Sequence, residues 1–146
     1  MSESGTEEHH LERTKLLYQS IFARDWEVAK SILSPSVVVR EPDSLPYGGD
    51  HHGHEGFVNL MKDVAAHWER LRPREFVYTA SGDIVHMETT LVGTARATGK
   101  AVQLPFLESW TFENGLIVRG IIYYFDTHLV REALALMPSD SGTKQK

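Results

Sequence analysis

Glu108 is the residue whose surroundings point most directly to acid/base chemistry. By the two-residue period of a strand, it shares one face with the apolar residues Val102, Leu104, Phe106, Trp110 and Phe112. Burial disfavours the charged form of a carboxyl group, so a buried acid finds a hydrogen-bonding partner or stays protonated. A core Glu held by an Arg or a Tyr hydroxyl and a Glu in a functional site are equally open interpretations.

Glu41 is a second candidate, at the end of a short β-branched segment. It shares a strand face with Val37 and Val39, and Pro42 ends the strand because proline has no backbone N–H. This pattern predicts a carboxylate at the rim of a cavity, partly solvated, with a pKa low enough for a general base. The alternative is a surface ion pair, for example with Arg40.

Asp126 is the third candidate catalytic residue beside Glu41 and Glu108. It lies where the last predicted strand meets a closing helix, and helix capping alone explains it. It also follows Tyr123 closely, so a cavity that opened there would hold a carboxylate next to a phenol.

The aromatic residues supply candidates for binding an apolar ligand. Most of them are expected to be ordinary core residues, but Tyr47 is carried by the loop segment SLPYGG, which is suited to closing over a ligand. The predicted ligand-binding residues are Tyr18, Phe22, Trp26, Tyr47, Phe57, Trp68, Phe106, Trp110 and Tyr123.

The sequence indicates neither a metal nor a cofactor. His51, His52 and His54 crowd a glycine-rich loop, but their spacing matches no usual metal framework, so a solvated loop is the favoured interpretation. The motifs of serine hydrolases, dinucleotide-binding proteins and P-loop proteins are missing from the sequence. The expected chemistry therefore depends on carboxylates alone.

Hydrophobic periodicity predicts the elements that must position these residues. Helical spacing is followed, after Pro73, by alternation typical of an antiparallel meander. Helices are predicted over residues 11–22, 25–34, 54–71 and 126–137, strands over 37–41, 74–80, 83–93, 101–112 and 116–125, and a loop over 42–53. This order predicts an α+β fold in which a curved, mostly antiparallel sheet wraps around three N-terminal helices and leaves an internal pocket.

Length and composition agree with one small globular domain. The chain has 146 residues, a formal charge of −5 and no cysteine, so a nucleic-acid surface and a disulfide framework are not expected. We expect a flexible tail over residues 1–10, a single domain over 11–136 and a second flexible tail over 137–146. No apolar run is long enough to span a membrane, and a cytoplasmic protein is expected.

The segments VVVREPDSLPYGG, GHEGFVNLM and ESWTFENGLIVRGIIYYFD resemble the nuclear transport factor 2-like superfamily, in its SnoaL-like polyketide cyclase and ketosteroid isomerase branch. The resemblance covers residues 11–136. It implies a general base at Glu41, which matches the isomerases' Asp-Pro, and a protonated acid at Glu108. The isomerases' helix-one tyrosine falls at Leu17, next to Tyr18. In SnoaL-like cyclases an acidic residue is the acid/base, which Glu108 or Asp126 matches. The resemblance also implies a homodimer.

The expected function is acid/base catalysis, without a cofactor, on a hydrophobic small molecule that carries a carbonyl group. Isomerisation, cyclisation and dehydration by a lyase share the same first proton transfer. Two alternatives remain open: a small-molecule-binding protein without catalysis, and a dimeric interaction subunit of the same fold.

Overall fold

One sheet of seven strands runs through the structure, a computed structural model that describes residues 3–136. The strands are β1 (Leu33–Glu41), β2 (Gly49–His52), β3 (Trp68–Pro73), β4 (Val77–Ser81), β5 (Ile84–Ala95), β6 (Ala101–Glu113) and β7 (Leu116–Tyr124). The helices are α1 (Glu3–Ala23), α2 (Trp26–Ile32), α3 (Gly53–His67) and α4 (Thr127–Ala133).

The strand order is β2-β1-β7-β6-β5-β3, with β4 paired to β5. Only the β1–β7 pair is parallel among the described strands, and the other pairs are antiparallel. The predicted α+β class with a mostly antiparallel sheet is confirmed. The long ladder from β5 through β6 to β7 carries the inward face on which Glu108 lies.

The helices pack on one side of the sheet and close the core. The first helix contacts α2, β4 and β5, while α3 contacts β1, β2 and β3. Leu17 of α1 and Phe57 of α3 are fully buried, and both lie in the same apolar cluster as Trp110 of β6. Burial of such apolar side chains supplies most of the driving force for folding.

Local sequence signals placed several element ends correctly. Asp25 caps α2 by accepting a hydrogen bond from the Val28 N–H, and Asp126 caps α4 in the same way from Leu129. Asn114 and Gly115 both have positive φ in the turn between β6 and β7, as a two-residue hairpin turn requires.

Two strands were not predicted. The segment Gly49–His52, predicted as loop, pairs with β1 as strand β2, and its polar sequence carries no apolar alternation that could have revealed it. The predicted third helix ends at His67, and Trp68 begins a strand that pairs with Ala95 of β5. Here cross-strand pairing overrides the helical period of the local sequence.

The first helix is longer than predicted at its N-terminal end. Helix α1 begins at Glu3 rather than near residue 11. Glu7 accepts a hydrogen bond from the Gly82 N–H at 2.7 Å, and the buried ring of His10 stacks on Phe112 with 4.3 Å between ring centroids. The predicted C-terminal tail, residues 137–146, lies outside the described residues. Within residues 3–136, no helix combines the length and the apolar character needed to cross a membrane.

Candidate functional site

A cavity of about 340 Å³ lies between the helices and the inward face of the sheet. Both Glu41 and Glu108 line it, on β1 and β6 respectively. The predicted ligand-binding residues that line it are Tyr18, Phe22, Trp26, Phe57, Trp68, Phe106 and Trp110. Two carboxyl groups thus share one largely apolar enclosure.

Glu108 is held by a chain of hydrogen bonds that begins at Trp110. The Trp110 indole N–H donates to the Tyr18 hydroxyl oxygen at 2.7 Å, and the Tyr18 hydroxyl donates to Glu108 Oε1. Gly120 of β7 faces Trp110 directly, and a Cβ at this position would lie 2.3 Å from the indole ring. The absence of a side chain at Gly120 therefore allows the Trp110 indole to lie against the backbone of β7 and reach Tyr18.

The environment of Glu108 sets its pKa near neutrality. Burial raises the pKa from 4.5 to about 7, against the lowering effect of hydrogen bonds from Tyr18 and Trp110. Burial and the nearby Glu108 carboxylate raise the pKa of Tyr18 well above its usual range, so this phenol stays neutral and donates. Glu108 is thus poised between its acid and base forms at physiological pH.

Glu41 is buried rather than solvated at a rim. Its side chain is 4% exposed, and its Oε1 atom has no hydrogen-bonding partner among the described residues. Burial raises its pKa well above the usual range, and the negative charge of Glu108 raises it further. The prediction of a low-pKa carboxylate at the rim is therefore wrong.

The loop that follows β1 folds back along the strand. It returns at once as β2, in which Gly49 pairs with Glu41, and it buries Leu45 and Tyr47. The alternative ion pair between Glu41 and Arg40 is not formed. Arg40 lies instead near two exposed partners, with distances of 4.0 Å to Asp43 and 3.6 Å to Asp50.

A second hydrogen-bonded chain lies on the Glu41 side of the cavity. The Trp68 indole N–H donates to the Tyr47 hydroxyl at 3.0 Å, and the Tyr47 and Tyr124 hydroxyls lie 3.4 Å apart. Burial raises the pKa of Tyr47 to about 12. Burial, followed by the charge of Glu41, raises the pKa of Tyr124 well above its usual range. Tyr124 is therefore a neutral phenol. It lines the cavity and lies close enough to Glu41 for the two groups to interact electrostatically.

Three sequence-predicted site residues lie elsewhere. Tyr47 is buried beneath the cavity wall as a support for Tyr124, so it does not close over a ligand as predicted. Asp126 caps α4 outside the cavity lining. Tyr124 pairs with Phe106 across the strands, and paired residues share one face of a sheet. Its neighbour Tyr123 therefore lies on the other face of β7, where it is exposed.

The histidine-rich segment is engaged by backbone carbonyl groups. His51 Nε2 lies 2.8 Å from the Tyr47 carbonyl, and His54 Nε2 lies 2.8 Å from the Leu33 carbonyl. In the described part of the chain, His, Asp and Glu side chains do not gather in threes at a spacing that could hold a metal ion.

Three solved structures illustrate what the fold is similar to. A nuclear transport factor 2-like protein from Burkholderia xenovorans superposes with a TM-score of 0.80 at 16% identity, over 87% of this chain and 97% of that one. One of unknown function from Burkholderia pseudomallei gives 0.75 at 30% identity, over 86% and 97%. TerC, co-crystallised with polyporic acid, gives 0.75 at 28% identity, over 87% and 98%.

A comparison with curated proteins gave no significant match. The family model of the SnoaL-like domain matches residues 15–120, which include both cavity carboxyl groups. The resemblance to nuclear transport factor 2-like proteins and their SnoaL-like branch is thereby confirmed. The chain belongs to the SnoaL-like domain family.

Proposed function

We propose that this protein is a cofactor-independent acid/base enzyme that acts on a hydrophobic small molecule with a carbonyl group. The observation that carries the proposal is the presence of Glu41 and Glu108 in one largely apolar cavity, where Glu108 accepts a hydrogen bond from Tyr18 and Glu41 Oε1 has no partner among the described residues. Two carboxyl groups whose environments separate their pKa values can divide the roles of base and acid between them.

The environments favour Glu108 as the base and Glu41 as the acid. Glu108 has a pKa of about 7, which suits proton abstraction at neutral pH. Burial and the Glu108 charge raise the pKa of Glu41, which favours its protonated form, and Glu41 Oε1 has no hydrogen-bonding partner among the described residues, so this carboxyl group can donate to a ligand. These roles are the reverse of those that the family resemblance implies.

The proposed first step is the transfer of one proton from the substrate to the enzyme. Glu108 takes a proton from the carbon next to the carbonyl group, and the electron pair moves to form an enolate. The neutral Glu41, assisted by the Tyr124 phenol, donates to the enolate oxygen. Return of the proton from Glu108 to another carbon of the conjugated enolate gives isomerisation. Attack of the enolate on a second carbonyl carbon gives cyclisation when the new alkoxide takes this proton, and loss of a β-hydroxyl group as water, with the same proton, gives dehydration.

Comparison with TerC supports a small-molecule ligand for this cavity. TerC is 28% identical to this chain and was co-crystallised with polyporic acid. The cavity of about 340 Å³ is large enough for a ligand with several rings and is lined mainly by apolar and aromatic side chains. We propose that the reaction is an isomerisation, a cyclisation or a dehydration.

Deuterium exchange tests the proposed step without knowledge of the natural substrate. The protein is incubated in D₂O with α-tetralone or flavanone, and mass spectrometry follows deuterium entry next to the carbonyl group. We expect exchange faster than in buffer or with a heat-denatured sample. Saturable binding of these ketones in the cavity without faster exchange would contradict catalysis and favour the alternative of a binding protein.

We also propose a homodimer, as the family resemblance implies. Val77, Tyr123 and Phe125 are exposed by 58%, 53% and 85%, and they line a groove of about 580 Å³ beside β4, β6 and β7. Apolar patches of this kind favour a protein contact. Sedimentation velocity is expected to show a dimer that Phe125→Glu converts to a monomer, and a monomeric wild-type protein would contradict the proposal.

A further inference from the structure

The mouth of the cavity is defined by those lining residues that are exposed to solvent. They are Phe22, Arg24, Arg70, Phe76 and Arg96. The interior, in contrast, is aromatic and aliphatic apart from the two carboxyl groups, Glu41 and Glu108. The residues at the opening are thus two phenylalanines and three arginines. This region is positively charged, although the whole chain carries a net charge of −5.

The arginine side chains come from three separate parts of the fold. Arg24 follows α1, Arg70 lies within β3, and Arg96 follows β5. Arg24 forms no ion pair with the described residues, and Arg70 has only a long contact of 4.0 Å to the half-exposed Glu69. Arg96 donates through Nε to the Ala65 carbonyl at 3.2 Å, a contact that anchors the side chain. All three residues line the cavity and are exposed, so guanidinium donors are available to a ligand at its surface.

The backbone at two of these positions is unusual for arginine. Arg24 and Arg70 have φ values of 55° and 54°, in the left-handed region where glycine is the least costly residue. The other described non-glycine residues with positive φ are Asn114, in a turn, and Ala135, just after α4. Arg24 ends α1 in a left-handed cap, in which the Asp25 N–H donates to the Ser20 carbonyl at 2.8 Å, and Arg70 lies at an irregularity in the pairing of β3 with β5. Glycine therefore suits the backbone at both positions.

We infer that the cavity takes an anionic ligand: an apolar carbonyl compound whose carboxylate, or a similar acidic group, lies at the mouth between Arg24, Arg70 and Arg96. Guanidinium groups bind carboxylates in a bidentate manner, which fixes orientation as well as charge. The acidic end would remain at the opening while the carbonyl end reaches the carboxyl groups inside. This inference deepens the proposed function and rests on it for the carbonyl end.

Two fluorescent probes isolate the contribution of charge. Anilinonaphthalene sulfonate is anionic, whereas N-phenyl-naphthylamine has the same ring system without the sulfonate. We expect Arg24→Gly and Arg70→Gly together to weaken the anionic probe about tenfold and to leave the neutral probe within about twofold. Added salt should weaken only the anionic probe, because exposed charges are screened.

Matched variants keep this test interpretable. Glycine suits the backbone at positions 24 and 70, so the urea midpoint of the double variant should not fall. Arg72→Gln and Arg119→Gln remove exposed arginines outside the cavity lining and should leave both probes unaffected. Met61→Trp, which fills the cavity, should abolish binding of both probes.

Three results would overturn the inference. These are equal weakening of both probes in the glycine variants, an unchanged affinity for the anionic probe, and anionic binding that survives Met61→Trp. Failure here is distinguishable from failure of the proposed function. If the protein catalyses deuterium exchange into neutral ketones but binds both probes without regard to charge, only the inference of an anionic ligand is wrong. If it catalyses exchange into no ketone, the proposed enzymatic function is wrong.

Discussion

Glu108→Gln is expected to slow deuterium exchange into a bound ketone by a factor on the order of 10² to 10⁴, the usual contribution of a general base. Gln keeps the shape of the side chain and can still accept the hydrogen bond from Tyr18, but it cannot take a proton. The loss should appear in the rate at saturating ketone, with affinity changed little. Mass spectrometry of the exchange reaction measures both quantities.

Glu41→Gln separates the two roles. An amide retains a hydrogen-bond donor, so exchange should fall only about tenfold if Glu41 is the neutral acid. Glu113→Gln, an exposed change on the same strand as Glu108, is the matched control and should leave exchange unaffected. A larger loss for Glu41→Gln than for Glu108→Gln would contradict the assignment and restore the roles that the family resemblance implies.

The stability of the folded protein is expected to fall as the pH rises from about 4.5 to about 7. The pKa of Glu108 is raised from 4.5 to about 7, so between these values the folded state binds more protons than the unfolded state. Stability is therefore highest below pH 4.5, declines through this window, and changes no further from this source above it. At 1.36 kcal/mol for each unit of pKa, the decline is about 3 kcal/mol.

Urea unfolding of the wild type and Glu108→Gln at several pH values isolates this contribution. An amide does not titrate, so the free energy of unfolding of the variant relative to the wild type should rise by about 3 kcal/mol between pH 4.5 and pH 8. Buried Glu41 acts in the same direction in both proteins, with a smaller effect in Glu108→Gln because that variant lacks the Glu108 charge that raises the pKa of Glu41 further. Parallel curves for the two proteins would show that Glu108 is solvated. A more stable but inactive variant would instead identify a functional site that lowers stability.

The sequence by itself determined the fold class and the character of the inward sheet face. Strand alternation placed Glu108 between Phe106 and Trp110 on one buried face, and the structure confirms this because the two-residue period is a local property of any strand. The caps at Asp25 and Asp126 and the turn at Asn114 were predictable for the same reason, since each depends on neighbouring residues only.

Only the tertiary structure decided how the site is arranged. Tyr18 and Glu108 are 90 residues apart in sequence, and no local pattern predicts that their side chains meet. The register between β6 and β7 turned Tyr124 inward and Tyr123 outward, and pairing with β5 ended α3 before Trp68. The burial of Glu41, which raises its pKa, exists only in the packed fold, where its strand end lies against the cavity between the helices and the sheet. Carboxyl pKa values follow from desolvation and neighbouring charges, and both exist only once distant segments have packed together.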